Sequence, residues 1–324
     1  MRKINFDVFN GDADGICALI QLRLAVPKEC SLITGVKRDI ALLQQVDPTV
    51  TQDVTVLDVA MDPNRPALDN LLSQGAHIFY ADHHNLNQIR THATLTNHIN
   101  TSSSTCTSLI IDKLLDGRYR DWALVGTYGD NLFSVADKLV EKTGLCDISR
   151  NKLKQFGTYI NYNSYGVSLL DLLFPPAELY QLMAPYPSPF DFITEHPRVY
   201  TTLEQSYLHD SEKVSSVVPY SEHLGSRVFM LPDERWARRI NGVYSNSLAN
   251  QDPSIANAVI TAKSNGNYAI NIRAPLKNSV GADELAASFP TGGGRKAAAG
   301  INCLPAEQLS AFISAFQQRY ALRT

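Results

Sequence analysis

The sequence contains no long apolar run, and nothing in it approaches the eighteen or so apolar residues of a membrane-spanning helix. Cysteine is scarce and unpatterned. The five thiols (Cys17, Cys30, Cys106, Cys146 and Cys303) are odd in number, scattered, and never arranged as C-x-x-C. That excludes a disulfide framework and a thiolate zinc site, and they read as reduced, mostly buried small hydrophobes of a cytoplasmic protein. Charge of either sign is barely in excess: 29 Lys and Arg stand against 32 Asp and Glu, a net of -3. A basic coat for nucleic acid and a cationic membrane binder are thereby excluded, but a protein that grips one small anion is not. A secretory leader is not expected either, because Met1-Arg2-Lys3 runs within four residues into Asp7, where an apolar stretch would be required. Internal repeats and low-complexity tracts are missing.

What remains is ample material for packed cores. The chain has 324 residues, 44% hydrophobic and 19% charged, so two domains are the expectation. In the first third, strand-like and helix-like segments alternate. Strands are predicted over Ile4–Phe9, Ser31–Val36, Val54–Val59 and His77–Tyr80, and helices over Ile16–Val26, Ile40–Val46 and Ala67–Leu72, with a turn at Asp62-Pro63-Asn64. This alternation implies βαβ units and an α/β class with a mostly parallel, doubly wound sheet. Helical patterns then cover Ser108–Leu115, Trp122–Thr127 and Leu153–Leu182, the last broken at Pro175-Pro176. Prolines at 185, 187 and 189 mark a boundary, and a polar helix over Thr201–Val217 follows. Strands over Arg227–Leu231, Ala258–Thr261 and Tyr268–Ile272 and a helix over Ala306–Tyr320 compose a second, smaller α/β domain. The expected division is 1–190, a linker helix over 191–219, and 220–324.

Charge separates these halves. From Tyr220 onward there are 11 basic and 7 acidic residues, a net of +4, which leaves -7 for the rest. An acidic half beside a basic one fits a metal-holding domain with an anion-gripping one.

Asp or His follows a predicted strand or ends a predicted helix in four places: Asp12-Ala13-Asp14-Gly15, Leu57-Asp58-Val59, Asp82-His83-His84 and Gly129-Asp130-Asn131. In an open parallel sheet the loops at the carboxyl ends of the strands emerge on one edge, so these residues are expected to converge. Carboxylates crowded in that way raise one another's pKa and call for a cation. Oxygen ligands with one or two imidazoles and no thiolate suit Mn²⁺ or Mg²⁺. Singly, Asp12-Ala13-Asp14-Gly15 is more often a turn or helix cap, Asp58 could start the Asp62-Pro63 turn, and Asp130 means little, while His83-His84 directly behind a strand-terminal Asp is harder to explain as a surface pair. Their conjunction along one alternating sheet carries the expectation.

In this order the motifs resemble those of the DHH phosphoesterases: Asp82-His83-His84 matches the signature, and Asp12-Ala13-Asp14-Gly15, Asp58 and Gly126-Thr127-Tyr128-Gly129-Asp130 match the other acidic motifs. Gly292-Gly293-Gly294-Arg295-Lys296-Ala297-Ala298-Ala299-Gly300 is similar to the glycine-rich signature of the accompanying DHHA1 domain. The resemblance spans nearly the whole chain. It implies two Mn²⁺ ions, with Mg²⁺ as the substitute, a bridging Asp58, Asp12 on the first ion, and Asp14, His83 and Asp130 on the second. Asp82 would orient the neighbouring imidazole, and His84 would donate to the substrate phosphate. Two positions depart from the pattern. Val8 stands where many members have histidine, and Asn10 stands where one branch has a further aspartate, so the first ion would be held by Asn10, Asp12, Asp58 and water.

Gly292, Gly293 and Gly294 would admit a substrate close to the backbone and present N–H groups as an anion nest near a helix start. Arg295 replaces the histidine usual at that place and offers a planar fork for a phosphate or a base. Arg273, at a strand end, is a second phosphate candidate, whereas Arg238 and Arg239 are expected on a solvated helix face. Tyr128 is either a base-stacking residue or a buried one.

The expected activity is metal-dependent hydrolysis of linear dinucleotides (pGpG-type) or very short oligonucleotides to mononucleotides. Long nucleic acid, which needs a basic track with stacking aromatics, and membranes are not expected as partners, while a homodimer is compatible. The alternatives are a nucleotide bisphosphate (pAp) phosphatase or polyphosphatase, and, of another class, a nucleotide-binding sensor without turnover.

Overall fold

The computed structural model describes residues 4–321. Met1-Arg2-Lys3, on which the leader argument partly rests, lies outside the described residues. The chain divides into two compact units, Met1–Glu204 and Gln205–Thr324, and the division falls inside the stretch 191–219.

In the first unit, β1 (Ile4–Phe9), β2 (Ser31–Ile33), β3 (Thr51–Leu57), β4 (His77–Asp82) and β5 (Leu95–Ile99) form a sheet of order β2-β1-β3-β4-β5, parallel throughout. Alternation along the strands builds two apolar faces. Val8, Val54, Val56, Ile78 and Tyr80 share one buried cluster with Leu68, Leu71 and Leu72 of α2 (Met61–Ser73). Asp7 and Thr55 fall on the alternate positions and are met by Arg23 of α1 (Ala13–Ala25). Its Nε donates to Asp7 Oδ2 at 2.9 Å and its Nη2 to Thr55 Oγ1 at 2.8 Å. An acid is tolerated in the middle of β1 because this guanidinium pairs with it.

Helices α3 (Thr107–Leu114), α4 (Arg120–Gly129) and α6 (Asp147–Ser164) complete the packing around α1, and α5 (Phe133–Val140) lies against α4 and α6. Small residues set how closely α4 approaches. A Cβ on Gly129 would lie 2.3 Å from Ala13 Cβ and 2.9 Å from Gly157 O. That closeness brings Asp130, at the end of α4, beside the start of α1. The chain continues through α7 (Pro176–Met183) and α8 (Pro189–Glu195) to α9 (Pro197–Ser215).

Several boundaries differ from the sequence reading. The segment Asp62-Pro63-Asn64 lies inside α2 and is no turn. Proline in a first turn forfeits no intrahelical bond, and Asn64 Nδ2 ties back to Ala60 O at 2.8 Å. The helix expected over Ile40–Val46 is one 3₁₀ turn, Leu42–Gln45. Strand β5 and helix α5 have no counterpart in that reading. All five cysteines are free thiols, but only Cys17 and Cys106 are buried, while Cys146 is exposed.

The second unit has a mixed sheet of six strands: β6 (Ser221–His223), β7 (Ser226–Leu231), β8 (Ala256–Ala262), β9 (Tyr268–Arg273), β10 (Gly292–Gly294) and β11 (Ala298–Leu304). Their order is β10-β11-β9-β8-β7-β6, and of these pairs β7–β8 is parallel. Ile260, Ile270, Ile272 and Ile301 pack with Leu285 of α11 (Ala282–Ala287) and with Phe312 and Phe316 of α12 (Leu309–Arg319). Helix α10 (Arg235–Gln251) also contacts β8 and β9. The glycine run therefore does not precede a helix. Gly292–Gly294 is a strand, and Ala298 onward is its antiparallel partner, held on the other side by β9. No helix among the described residues is long and apolar enough to cross a membrane.

Candidate metal centre

Adjacent parallel strands place the acidic loops together. Asp12 follows β1 and caps α1, its Oδ1 accepting from Asp14 N at 3.0 Å and Gly15 N at 3.1 Å. Gly15 is required there, since a Cβ would lie 2.2 Å from Asn10 O. Asp58 directly follows β3 with φ +57°, a left-handed conformation that costs a non-glycine residue on the order of 1–3 kcal/mol and is found at functional sites. Its N–H donates to Ala81 O at 3.1 Å, which fixes the corner. Asp82, the last residue of β4, precedes His83 and His84, and Asp130 ends α4.

Four of these side chains meet at one atom. His83 Nε2 lies 3.3 Å from Asp58 Oδ1, 3.8 Å from Asp14 Oδ2 and 3.8 Å from Asp130 Oδ2. Donors that share one ion at about 2.1 Å each are about 3–4 Å apart, and each of these oxygens stands at that distance from Nε2, while Asp58, His83 and His84 offer donor atoms that all lie within 4.8 Å of one another. The orientation is fixed from outside. His83 Nδ1 is 3.0 Å from Thr105 O, and a carbonyl only accepts, which assigns the proton to Nδ1 and the lone pair to Nε2. Asp14 is held by the first turn of α3: Thr107 N donates to Oδ2 and Ser108 N to Oδ1, both at 2.7 Å. Asp14, Asp58 and His83 are all at most 4% exposed. Burial, with the charges of Asp12 and Asp14, pushes the Asp58 carboxyl well above the usual range, against the opposing pull of His83. A buried carboxylate in that condition is relieved by a cation. The donor set, three carboxylates and one imidazole, fits a divalent oxygen-seeking ion such as Mn²⁺ or Mg²⁺.

Asp12 is treated differently. Burial would raise its carboxyl, but the charge and hydrogen bond of Lys37 bring it below the usual range. Lys37 Nζ donates to Asp12 Oδ2 and, at 3.1 Å, to Asn161 Oδ1, and lies 3.9 Å from Asp130 Oδ1. Burial alone would lower the ammonium's pKa; Asp12, Tyr165 and Asp130 raise it instead, so the group stays charged. Lys37 carries no acidic or imidazole signal in the sequence, although it directly follows the segment predicted as the second strand, at the same sheet edge as the aspartates. Asn161 and the start of α3 are hidden in the sequence for a different reason, since they lie on helices that no acidic motif marks. Asn10 Oδ1 is buried and makes no hydrogen bond.

The imidazole beside Asp82 is that of His84, with Nδ1 2.7 Å from Asp82 Oδ1 and 3.8 Å from Asp58 Oδ1. Burial opposes it, but the two histidines hold the Asp82 carboxyl below the usual range. Tyr128 is buried, its hydroxyl donating to Asp137 at 2.7 Å, so base stacking does not apply.

In the second unit, Arg273 ends β9 opposite Ala298, and Arg295 N donates to Ala298 O at 2.8 Å, so both arginines belong to one end of the β9–β11 pair. Arg273 Nε donates to Asn246 Oδ1 at 2.7 Å. Of the three glycines, a Cβ at 292 would meet Ala286 O at 1.8 Å and one at 294 would meet Ala299 Cα at 2.5 Å. At Gly293 it would meet nothing within 4 Å. Two of them thus serve packing, and Gly293 is the open one. Arg239 is not on a solvated face: its Nη2 is 2.9 Å from the buried Asp210.

No family model matches the chain, and no curated protein does. Solved structures match in fold. Exonuclease RecJ bound to manganese is 14% identical, with a TM-score of 0.62 over 99% of this chain and 91% of that one. RecJ of Thermus thermophilus, solved with Mn²⁺, is 15% identical, with a TM-score of 0.61 over 98% of this chain and 52% of that one. The pGpG-specific phosphodiesterase PggH of Vibrio cholerae is 12% identical, with a TM-score of 0.54 over 98% and 99%. At these identities the likeness concerns the fold, and it is the fold that the DHH/DHHA1 resemblance implies.

Proposed function

We propose that the protein is a metal-dependent phosphoesterase that hydrolyses linear dinucleotides or very short oligonucleotides to mononucleotides. One observation carries the reading: Asp14, Asp58 and Asp130 converge on His83 Nε2 while His83 Nδ1 is held by a backbone carbonyl. A divalent ion bound there, Mn²⁺ or Mg²⁺, would polarise a phosphoryl oxygen and supply a nucleophilic hydroxide at neutral pH. The chain's own residues prepare the rest. Thr107 N and Ser108 N hold the Asp14 carboxylate in place, and the Asp58 corner keeps its oxygen beside His83. With Nδ1 given to Asp82, His84 has Nε2 for an oxygen of the substrate phosphate. In the second unit Arg273, Gly293 and Arg295 are the candidates for a terminal phosphate or base.

A short substrate needs few phosphate contacts, which agrees with the small net charge. The names of two relatives in fold, an exonuclease and a pGpG-specific phosphodiesterase, support phosphodiesters as the substrate class. The test is a panel of pGpG, pApA, pAp, polyphosphate and longer oligomers with Mn²⁺, resolving products. The expected result is rapid conversion of the dinucleotides. Preferred turnover of pAp or polyphosphate would replace the diesterase by a monoesterase or polyphosphatase, rapid degradation of long strands would overturn the short-substrate reading, and no turnover at all would leave the sensor.

A further inference from the structure

One cation of the carboxylate cluster belongs to the chain itself. Lys37 Nζ is bound to Asp12 Oδ2 and Asn161 Oδ1, 3.9 Å from Asp130 Oδ1 and 5.5 Å from the centroid of the Tyr165 ring. Both Asp12 and Asp14 accept hydrogen bonds on each oxygen, but the Asp14 oxygens meet neutral backbone N–H groups, whereas Asp12 Oδ2 is matched by a full positive charge, the ammonium. A second metal ion bound through Asp12 would share Oδ2 with Nζ, two positive groups side by side with no water between them. The other donors on that side are poor. Val8 is a fully buried alkyl side chain, and Asn10, whose Oδ1 makes no hydrogen bond, is a neutral amide. Asp130 faces both ways, with Oδ1 toward Lys37 and Oδ2 toward His83.

We propose that the Lys37 ammonium takes the place of one of two metal ions, so that the centre holds a single divalent ion on the His83 side. Lys37 then supplies the second positive charge to the substrate's phosphate, and its side chain, 23% exposed, remains reachable for an anion. The phosphate contact rests on the phosphoesterase reading; the ion count does not.

The count is measured on the full chain without substrate. Equilibrium dialysis against MnCl₂, followed by metal analysis and electron paramagnetic resonance, is expected to give one ion per chain and the six-line signal of an isolated Mn²⁺. Two ions per chain with an exchange-coupled signal overturns the proposal and leaves the phosphoesterase reading intact. No bound ion overturns both. In a second arm, Lys37→Met is expected to keep the Mn²⁺ affinity nearly unchanged while dinucleotide turnover falls roughly 100-fold or more, the scale for losing one charge-stabilising donor, with Lys37→Arg restoring much of it. Turnover equal to the parent's, or equal loss of ion and turnover, overturns the role of Lys37 as a phosphate-facing cation.

Discussion

The two sides of the carboxylate cluster draw on neighbouring aspartates but are completed differently. On the His83 side three carboxylates surround an imidazole nitrogen, and Asp58 is pushed toward its protonated form by burial and by Asp12 and Asp14. On the Lys37 side an ammonium occupies the outer oxygen of Asp12, and that carboxyl is held low despite its burial. The partners show where charge is already matched: an ammonium stands on Asp12, while Asp58 has a neutral imidazole nitrogen and other carboxylates about it. Crowded carboxylates are neutralised either by a place for an ion or by a side chain, and this chain uses both within one cluster.

The comparison breaks most visibly at His83. His83→Ala removes the atom on which the ligands converge, and turnover is expected to drop by more than the roughly 10–100-fold typical of an outer partner. A chain that retains its Mn²⁺ affinity after this change would move the ion elsewhere. Asp82→Asn acts one step out, through His84. Its expected cost is roughly 10–100-fold in turnover with the Mn²⁺ affinity largely kept, as steady-state kinetics and metal titration together would show.

Gly129→Ala sharpens the comparison from behind, because Asp130 serves both sides and Gly129 sets its position. The added methyl has Ala13 Cβ and Gly157 O in its way and should cost about 1–3 kcal/mol in stability by denaturant unfolding. An unchanged midpoint would show that α4 can shift freely. The smallest effect concerns pH. The native state holds the Asp58 proton to higher pH than the unfolded chain does, so Asp58's contribution to stability is lost as pH rises from the ordinary value of 3.8 toward the raised native one. Mn²⁺ must displace that proton, and its rise in melting temperature should therefore be larger at pH 8 than at pH 5.5. A larger rise at the lower pH would contradict this sign.

The acidic loops were legible because chemistry of one kind recurs after successive strands, and a parallel sheet brings such loops to one edge whatever lies between them. Lys37 was equally placed by that rule but carries the opposite charge, and a search for like charges passes over it. The Thr105 carbonyl and the Thr107 and Ser108 amides are invisible in a sequence for a stronger reason, since every residue has them and only β5 and the start of α3 aim them. The glycine run misled in the other direction. Three glycines with an alanine stretch suit a helix start, yet Ala299 and Ile301 alternate inward against β9, and pairing with that strand decides the conformation.

The most direct test is an anomalous-scattering map from crystals of the full chain grown with Mn²⁺. The expected result is one peak bounded by His83 Nε2 and the oxygens of Asp14, Asp58 and Asp130. A map with no peak there, or with the ion bound apart from His83, would contradict the account.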